Sequence, residues 1–240
     1  MNITLKNKSL KNKSLKKEVK LNLYSENFQL YNTKNDNYNN IKLLIHKLSN
    51  SLKDNQWLEL SDDNSNNINY TRSLKCDMIN NKYYNPNGTW YSKGEWLLLF
   101  IINGRLETLK KINIILAEVN YSKIYKISNR KNNYKLLPSY YKALDKFIDE
   151  YGKRRRGKIN INWEKLCNNK YNGIAIYPMP SENYFSQYFK TNKTLHFLPF
   201  WDVSSLCIWN MSSITKHYNL GKFENIDNLI SKITEINKIK

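Results

Sequence analysis

The chain has 240 residues and carries 39 Lys and Arg against 20 Asp and Glu, a formal net charge of +19. This length fits one domain, or one domain with a tail. Hydrophobic residues make up 40% of the chain and include 18 Tyr, so a chain disordered throughout is excluded. So much positive charge attracts phosphate polymers. Composition therefore favours nucleic acid as the partner. An anionic membrane surface is the competing partner. The alternative explanation of the positive charge is solubility combined with codon bias.

The cysteines and histidines give no sign of a metal centre. Cys76, Cys167 and Cys207 are far apart, odd in number and without a CxxC spacing, so we expect neither a disulfide framework nor a zinc site.

The N-terminus has charge but no apolar signal region. The apolar run Trp96–Ile102 is too short to cross a bilayer, so we expect it to form a buried helix. These features predict a cytoplasmic protein with no membrane partner.

The N-terminal residues 1–20 form a basic, low-complexity arm in which the unit KNKSL occurs twice, at 6–10 and at 11–15. Its apolar content is too low for it to pack alone. It is either a disordered solubilising tail or an arm that follows phosphates. Residues 21–240 are expected to form a single domain.

Periodicity predicts the elements of that domain in chain order. Partial alternation predicts a strand at about Asn27–Thr33, and apolar spacing in residues 41–60 predicts a helix. The later patterns predict strands at Thr89–Ser92, 113–119, 123–127 and Gly173–Tyr177, helices at Glu95–Ile102, 138–151, Trp163–Leu166 and Asn225–Lys238, and a strand–turn–strand in 199–210. This mixed order indicates an α+β fold rather than a regular βαβ array.

The sequence contains no P-loop, GxGxxG, HExxH, GxSxG or EF-hand loop. What remains is a spaced set of segments: LYNT at 30–33, NGTWYS at 87–92, YNGIAIYP at 171–178 and WDVSSLCIWN at 201–210. The order of NPNGTWYSKGEW, a strand like LAEVNYSKIYKIS, an INWEKL helix, YNGIAIYP and WDVSSLCIWN resembles that of small ADP-ribosyltransferase-like proteins, which typically read KPxGLWYS, then YDGIEI, then WDxASGCIW. The resemblance covers residues 85–215.

The resemblance implies a split, twisted β-sandwich with peripheral helices that binds NAD, as a co-substrate, in a cleft. The residues that correspond to the family's NAD site are Tyr31, Asn32, Thr33, Trp90, Tyr91, Ser92 and Trp96. Asn32 stands where the family usually places Arg or His. Tyr91 would stack on nicotinamide, and the Ser92 hydroxyl would bond nearby backbone. The alternative is that these aromatic residues are ordinary core residues.

The late strand of the family carries a catalytic Glu, whose carboxylate binds a ribose hydroxyl and stabilises the oxocarbenium-like transition state. The corresponding residue in this chain is Ala175. A methyl group cannot supply that charge. The chain is therefore a pseudoenzyme or an engineered knock-out, or else the alignment is shifted and Glu182 or Asp202 serves.

The basic run Lys153, Arg154, Arg155, Arg156, Gly157 and Lys158 is a second candidate site. Arg forks bind phosphate oxygens and stack on bases, although a basic run is more often a solvated turn. The residues expected to bind nucleic acid are Lys153, Arg154, Arg155, Arg156 and Lys158.

Together these features predict an NAD-dependent ADP-ribosyltransferase toxin that modifies nucleic acid, with RNA favoured. Such a toxin would belong to a toxin–antitoxin or antiviral defence system, and an acidic antitoxin would neutralise it. The alternative is a non-catalytic basic RNA-binding or ribosome-associated protein. A protein acceptor also stays open.

Overall fold

The computed structural model of the chain describes residues 36–61, 73–79, 86–128, 138–155, 158–177, 194–195 and 204–239. The basic arm at 1–20 and the predicted strand at Asn27–Thr33 lie outside the described residues. Tyr31, Asn32 and Thr33 lie outside them as well.

Six α-helices and ten strands are present in the described residues. The helices are α1 (Asp36–Ser51), α2 (Glu95–Ile102), α3 (Leu106–Leu109), α4 (Pro138–Tyr151), α5 (Trp163–Asn168) and α6 (Ile226–Lys238). The strands are β1 (Gln56–Ser61), β2 (Thr89–Ser92), β3 (Asn113–Val119), β4 (Ile124–Ser128), β5 (Gly152–Arg155), β6 (Lys158–Ile161), β7 (Gly173–Tyr177), β8 (Thr194–Leu195), β9 (Ser205–Ile208) and β10 (Ile214–Lys222).

Seven strands form one mixed sheet in the order β10-β3-β1-β2-β9-β7-β4. Each neighbouring pair is antiparallel except β4 and β7, which run parallel. The strands β5, β6 and β8 form a separate three-stranded sheet. A largely antiparallel sheet with helices packed on it confirms the α+β prediction.

Helices cover one face of the large sheet. Leu58 and Leu116 of this face pack against α1, α2 and α6, while Ile174 and Cys207 pack against α4 and α5. Burial of each large apolar side chain here stabilises the fold by about 1.5–3 kcal/mol. Because side chains alternate along a strand, the residues between these point to the opposite face. We call that opposite face the Tyr91 face, and its members include Trp57, Tyr91, Ala117, Ala175 and Leu206.

Several predicted elements have the predicted bounds: Thr89–Ser92, Glu95–Ile102, Asn113–Val119 and Gly173–Tyr177. In α2, Leu97 and Leu98 are buried, as expected for the apolar run. No helix in the described part of the chain has the length and apolarity needed to cross a lipid bilayer. The C-terminal helix begins at Ile226, because the Asn225 side chain caps it by accepting a hydrogen bond from the backbone N–H of Asn228 at 2.8 Å.

The helical prediction for residues 41–60 was wrong in its second half. Helix α1 ends at Ser51, a turn follows in which the Gln56 N–H donates to the Lys53 carbonyl at 3.0 Å, and residues 56–61 form β1. The strand–turn–strand predicted in 199–210 also differs. Only Ser205–Ile208 is a strand there, residues 196–203 lie outside the described part, and the long strand β10 begins at Ile214.

The sequence predicted no disulfide framework, but two of the three cysteines do form a single disulfide. Cys76, in a short 3-10 turn, is bonded to Cys167 of α5, with the two Cα atoms 5.5 Å apart. The residues are separated by 91 positions, so local spacing gave no signal. Cys207 is buried and not in a disulfide, and burial raises the pKa of its thiol.

Breaking this disulfide is expected to lower the free energy of unfolding by about 2–4 kcal/mol, because it removes a cross-link that restricts the unfolded chain. The measurement is thermal unfolding with and without reductant, on the wild type and on Cys76→Ser/Cys167→Ser. The double variant is the control and should not respond to reductant. Equal melting temperatures for oxidised and reduced wild type would contradict the prediction.

Candidate functional site

Three of the sequence motifs lie side by side in the large sheet. NGTWYS contains β2, WDVSSLCIWN contains β9, YNGIAIYP contains β7, and the three strands are consecutive neighbours. In their register Tyr91 is opposite Leu206, and Leu206 is opposite Ala175. Residues directly opposite each other share a face. Tyr91 and Ala175 therefore lie on the same face, two strand spacings or roughly 10 Å apart.

The glycines of two motifs let their strands lie against β9. A Cβ on Gly88, which precedes β2, would be 2.6 Å from the carbonyl oxygen of Ile208. A Cβ on Gly173, the first residue of β7, would be 2.5 Å from the carbonyl oxygen of Cys207. Both approaches are closer than a side chain allows, so glycine is required at each position.

The line through Tyr91 and Ala175 continues across two more strands. Lys126 of β4 is opposite Ala175. On the other side, Leu58 is opposite Ser92 in antiparallel strands, which places Glu59 of β1 opposite Tyr91. We call Lys126, Ala175, Leu206, Tyr91 and Glu59 the central row. It places a cation at one end and a carboxylate at the other, and its middle is apolar.

Glu59 is an ionisable residue of this face that sequence reasoning missed. Its side chain is partly exposed, but Oε2 is buried and has no hydrogen-bond partner. Burial raises the pKa of Glu59 to about 7, and a hydrogen bond with the Tyr91 side chain opposes that rise. The group therefore changes charge near neutral pH.

An aromatic cluster lies beside the central row. The Trp57 indole N–H donates to the Tyr121 hydroxyl at 2.7 Å, and Tyr177 packs edge-on against Trp57 with ring centroids 6.1 Å apart. The Lys126 Nζ lies 4.6 Å from the centroid of the Tyr121 ring. Burial raises the pKa of Tyr121 to about 12, so its hydroxyl stays protonated and donates to the Asp54 carbonyl at 2.8 Å.

A buried lysine forms hydrogen bonds with the turn that leads into β1. The Lys93 Nζ donates to the backbone carbonyls of Lys53, Asp54 and Gln56 and lies 4.4 Å from the centroid of the Trp57 ring. Burial is the main reason that the pKa of Lys93 is lowered to about 7. With its three donors directed at carbonyls, Lys93 acts by positioning Trp57.

Glu95 is the buried acid beside this lysine. Its Oε2 accepts from the Lys93 backbone N–H at 2.9 Å. Burial raises its pKa to about 7, opposed by hydrogen bonds that include one to Ser204. These contacts hold the end of β2 against the start of α2, so Glu95 has a structural role.

The other predicted NAD residues that the structure describes, Trp90, Ser92 and Trp96, do not share the face of Tyr91. Trp90 lies on the opposite, helix-covered face and packs against the α4 and α5 core. Ser92 is buried and its Oγ accepts from the Gly94 N–H at 3.2 Å, a backbone bond of the predicted kind. Gly94 has φ 109°, a left-handed conformation that turns the chain into α2. Trp96 lies on α2 and is partly buried.

The basic run forms a β-hairpin rather than an irregular turn. Strands β5 and β6 pair antiparallel, with Lys153 opposite Asn160 and Arg155 opposite Lys158. Lys153 is exposed, and the hairpin is anchored to the core through Ile159 and Ile161 on β6. Arg156 and Gly157, which follow β5 in the sequence, lie outside the described residues.

The described part of the chain contains no group of three or more His, Cys, Asp or Glu residues placed to hold a metal ion. Glu182 and Asp202, the two alternative carboxylates, lie outside the described residues. Comparisons of the chain with protein-family models, with curated proteins and with solved structures gave no match.

Proposed function

We propose that this chain is an NAD-binding domain of the ADP-ribosyltransferase type, with the split, twisted sandwich of that family, and that its acceptor is a nucleic acid. In this proposal the chain as it stands binds both partners, and transfer is blocked because position 175 carries no carboxylate. An acidic protein that covers the basic surface would neutralise it.

One observation carries the proposal. A single NAD site built from these motifs needs Tyr91 and the residue at position 175 on one face of a sheet. The register does place Tyr91 and Ala175 on one face, in line across a single intervening strand. That intervening strand, β9, is the third motif of the resemblance. Segments separated by about 80 residues in sequence had many other ways to pair.

The chemistry explains why Ala175 matters. In ADP-ribosyl transfer the bond between the ribose C1′ and the nicotinamide nitrogen breaks, nicotinamide leaves with the electron pair, and an acceptor atom forms a new bond to C1′. Positive charge develops on the ribose as the bond breaks, and a nearby carboxylate stabilises it. Within the central row, position 175 has an apolar neighbour on one side and Lys126 on the other.

The net charge of +19 favours nucleic acid as the acceptor. The residues Lys153, Arg154, Arg155 and Lys158 belong to the two paired strands of the β5–β6 hairpin, and this concentration of positive charge supports contact with a phosphate backbone. RNA is the favoured nucleic acid. Transfer of label from NAD to a protein instead would show that the acceptor is a protein.

A second candidate function is a non-catalytic nucleic-acid-binding protein with no NAD site. The observation that favours it is burial: Tyr91 is 0% exposed and Ala175 is 1% exposed, as expected for core residues. A ligand at these positions would have to approach along the partly exposed Glu59 and Tyr177.

Thermal unfolding with NAD separates the two candidates. NAD at about 100 times its dissociation constant is expected to raise the melting temperature by roughly 5–10 °C, because a ligand stabilises only the folded state that binds it. ATP is the control, since it shares the adenosine and phosphates but lacks nicotinamide. The absence of a shift at millimolar NAD, or an equal shift with ATP, would favour the second candidate.

A further inference from the structure

The segment that links α5 to β7 contains a strained lysine. Helix α5 ends in a Schellman motif, in which the Lys170 N–H donates to the Cys167 carbonyl at 2.8 Å. The Tyr171 N–H donates to the Leu166 carbonyl at 3.4 Å. Lys170 has φ 68°, the left-handed conformation that this motif requires and that glycine normally supplies. The fold therefore keeps a side chain here at a cost that glycine would remove.

The helix end alone does not account for a lysine at this position. A cation near a helix C-terminus interacts favourably with the helix dipole, but Lys165 already supplies one in the last turn of α5. Lys170 is exposed, and its ammonium group pairs with no carboxylate in the part of the chain that the structure describes. Its charge is thus available to an external anion.

The next residue, Tyr171, is a partly exposed aromatic side chain with firm support. Its ring centroid lies 5.1 Å from that of Tyr125, which packs in turn against Phe147 and Tyr151 of α4. The Trp209 indole N–H donates to the Tyr171 carbonyl at 2.7 Å, so the backbone is held as well. Tyr125 contacts three rings, whereas Tyr171 contacts one ring among the described residues. A partly exposed tyrosine held in this way suits the stacking of another flat ring.

Positive charge surrounds this tyrosine. Lys170 precedes it, and Lys123 is close because its carbonyl accepts from the Asn172 N–H at 2.7 Å. The Lys165 Nζ lies 5.6 Å from the centroid of the Tyr151 ring. These three lysines are exposed. Tyr151 directly precedes β5, so the basic surface continues into the β5–β6 hairpin.

We propose that Lys170 and Tyr171 bind one unpaired nucleotide of the nucleic-acid acceptor, with Tyr171 stacked on its base and Lys170 in contact with a phosphate. This inference rests on the proposed function and specifies its acceptor as a single strand. Bases in a duplex are stacked between their neighbours, whereas an unpaired base offers a face to an aromatic side chain. A basic surface combined with an aromatic ring is the arrangement that binds single strands.

Affinity for single-stranded and double-stranded RNA tests the inference. A labelled single strand of about 12 nucleotides and the corresponding duplex are compared by fluorescence anisotropy for the wild type and Tyr171→Leu. Loss of one stacked base should weaken binding of the single strand about 10-fold or more and change binding of the duplex little. Tyr171→Phe keeps a ring and should bind as the wild type does. The matched control is Tyr218→Leu, which removes a partly exposed tyrosine from β10, the opposite edge strand of the large sheet from β4.

Lys170→Gly separates the role of the side chain from that of the backbone. Glycine adopts the left-handed conformation without strain, so this variant should melt at no lower temperature than the wild type. It should nevertheless bind the single strand more weakly. The slope of log affinity against log salt should become shallower by about 0.7, because one phosphate contact is lost. Lys216→Ala, which removes one exposed charge from β10, is the control and should leave the slope unchanged.

Three results would overturn the inference. The first is a folded Tyr171→Leu variant that binds the single strand as tightly as the wild type, or that loses equal affinity for single strand and duplex. The second, which serves if Tyr171→Leu does not fold, is a Lys170→Gly variant with unchanged affinity and salt dependence. In both of these the wild type still binds RNA and the proposed function stands. The third is a wild type that binds neither form of RNA, and that result removes the proposed nucleic-acid acceptor as well.

Discussion

Replacing Ala175 by Glu is expected to produce NAD-dependent labelling of RNA by a protein that otherwise gives none. The new carboxylate would lie in the central row, on the same face as Tyr91 and beside Lys126. One preorganised group aimed at the developing charge changes a rate by about 100- to 1,000-fold. The measurement is transfer of label from NAD to RNA, DNA and protein acceptors, together with growth of cells that express the variant.

The control for this prediction is Ala175→Gln, which has the same size without the charge and should label nothing. Ala175 is 1% exposed, so a carboxylate there is costly unless it is paired. Lys126 is directly opposite, and Ala175→Glu should therefore be less stable in a Lys126→Met background than with Lys126 present. A folded Ala175→Glu protein that binds NAD and labels no acceptor would contradict the prediction.

The same assay decides between Ala175 and the two alternative carboxylates. If Glu182 or Asp202 supplies the charge, the unmodified chain labels RNA, and Glu182→Gln or Asp202→Asn abolishes the labelling. Placing Glu at 175 would then add little.

Removing the three arginines of the basic hairpin, as Arg154→Ala/Arg155→Ala/Arg156→Ala, is expected to weaken RNA binding at low salt and to flatten its salt dependence. Each phosphate contact that is lost removes about 0.7 from the slope of log affinity against log salt for a single strand, so three contacts reduce the slope by about 2. Binding is measured by fluorescence anisotropy over a salt series.

The matched control removes the same charge elsewhere, as Arg105→Ala/Lys111→Ala/Lys238→Ala, three exposed positions outside the hairpin. A general effect of net charge would flatten both slopes equally. Loss of local phosphate contacts would flatten the salt dependence of the hairpin variant more than that of the control variant. Identical slopes for the hairpin variant and the wild type would contradict the assignment.

The sequence predicted those elements whose pattern depends on local spacing. Helix α2 is apolar throughout after Glu95, and Thr89–Ser92 follows a predicted turn. The sequence therefore indicated where each of these two elements begins. Strand β1 was included in the predicted helix although the helical apolar spacing ends at Leu52 and the polar residues 53–56 follow it. Strand β10 has few buried positions and therefore no clear alternation. Strong tertiary pairing with β3 determines it instead.

The candidate site could be predicted only in part, because it depends on the order of strands in the sheet. Tyr91 and Ala175 were found through motifs. Glu59 belongs to a strand that no motif marks, and Lys126 belongs to a segment of the resemblance that carried no assigned role. Both enter the central row only through pairings with β2 and β7. The disulfide is a similar case, since its two halves are 91 residues apart. Sequence spacing carries no information about such neighbours.

The bond between Cys76 and Cys167 has a topological consequence. It closes a covalent ring that contains β2 with Tyr91, β4 with Lys126 and the whole β5–β6 hairpin. A protease that cuts the backbone once inside this ring leaves two pieces that remain one molecule. The cleaved protein would migrate as a single species until a reductant separates it, so the aromatic strand and the basic hairpin stay tethered even after the chain is cut.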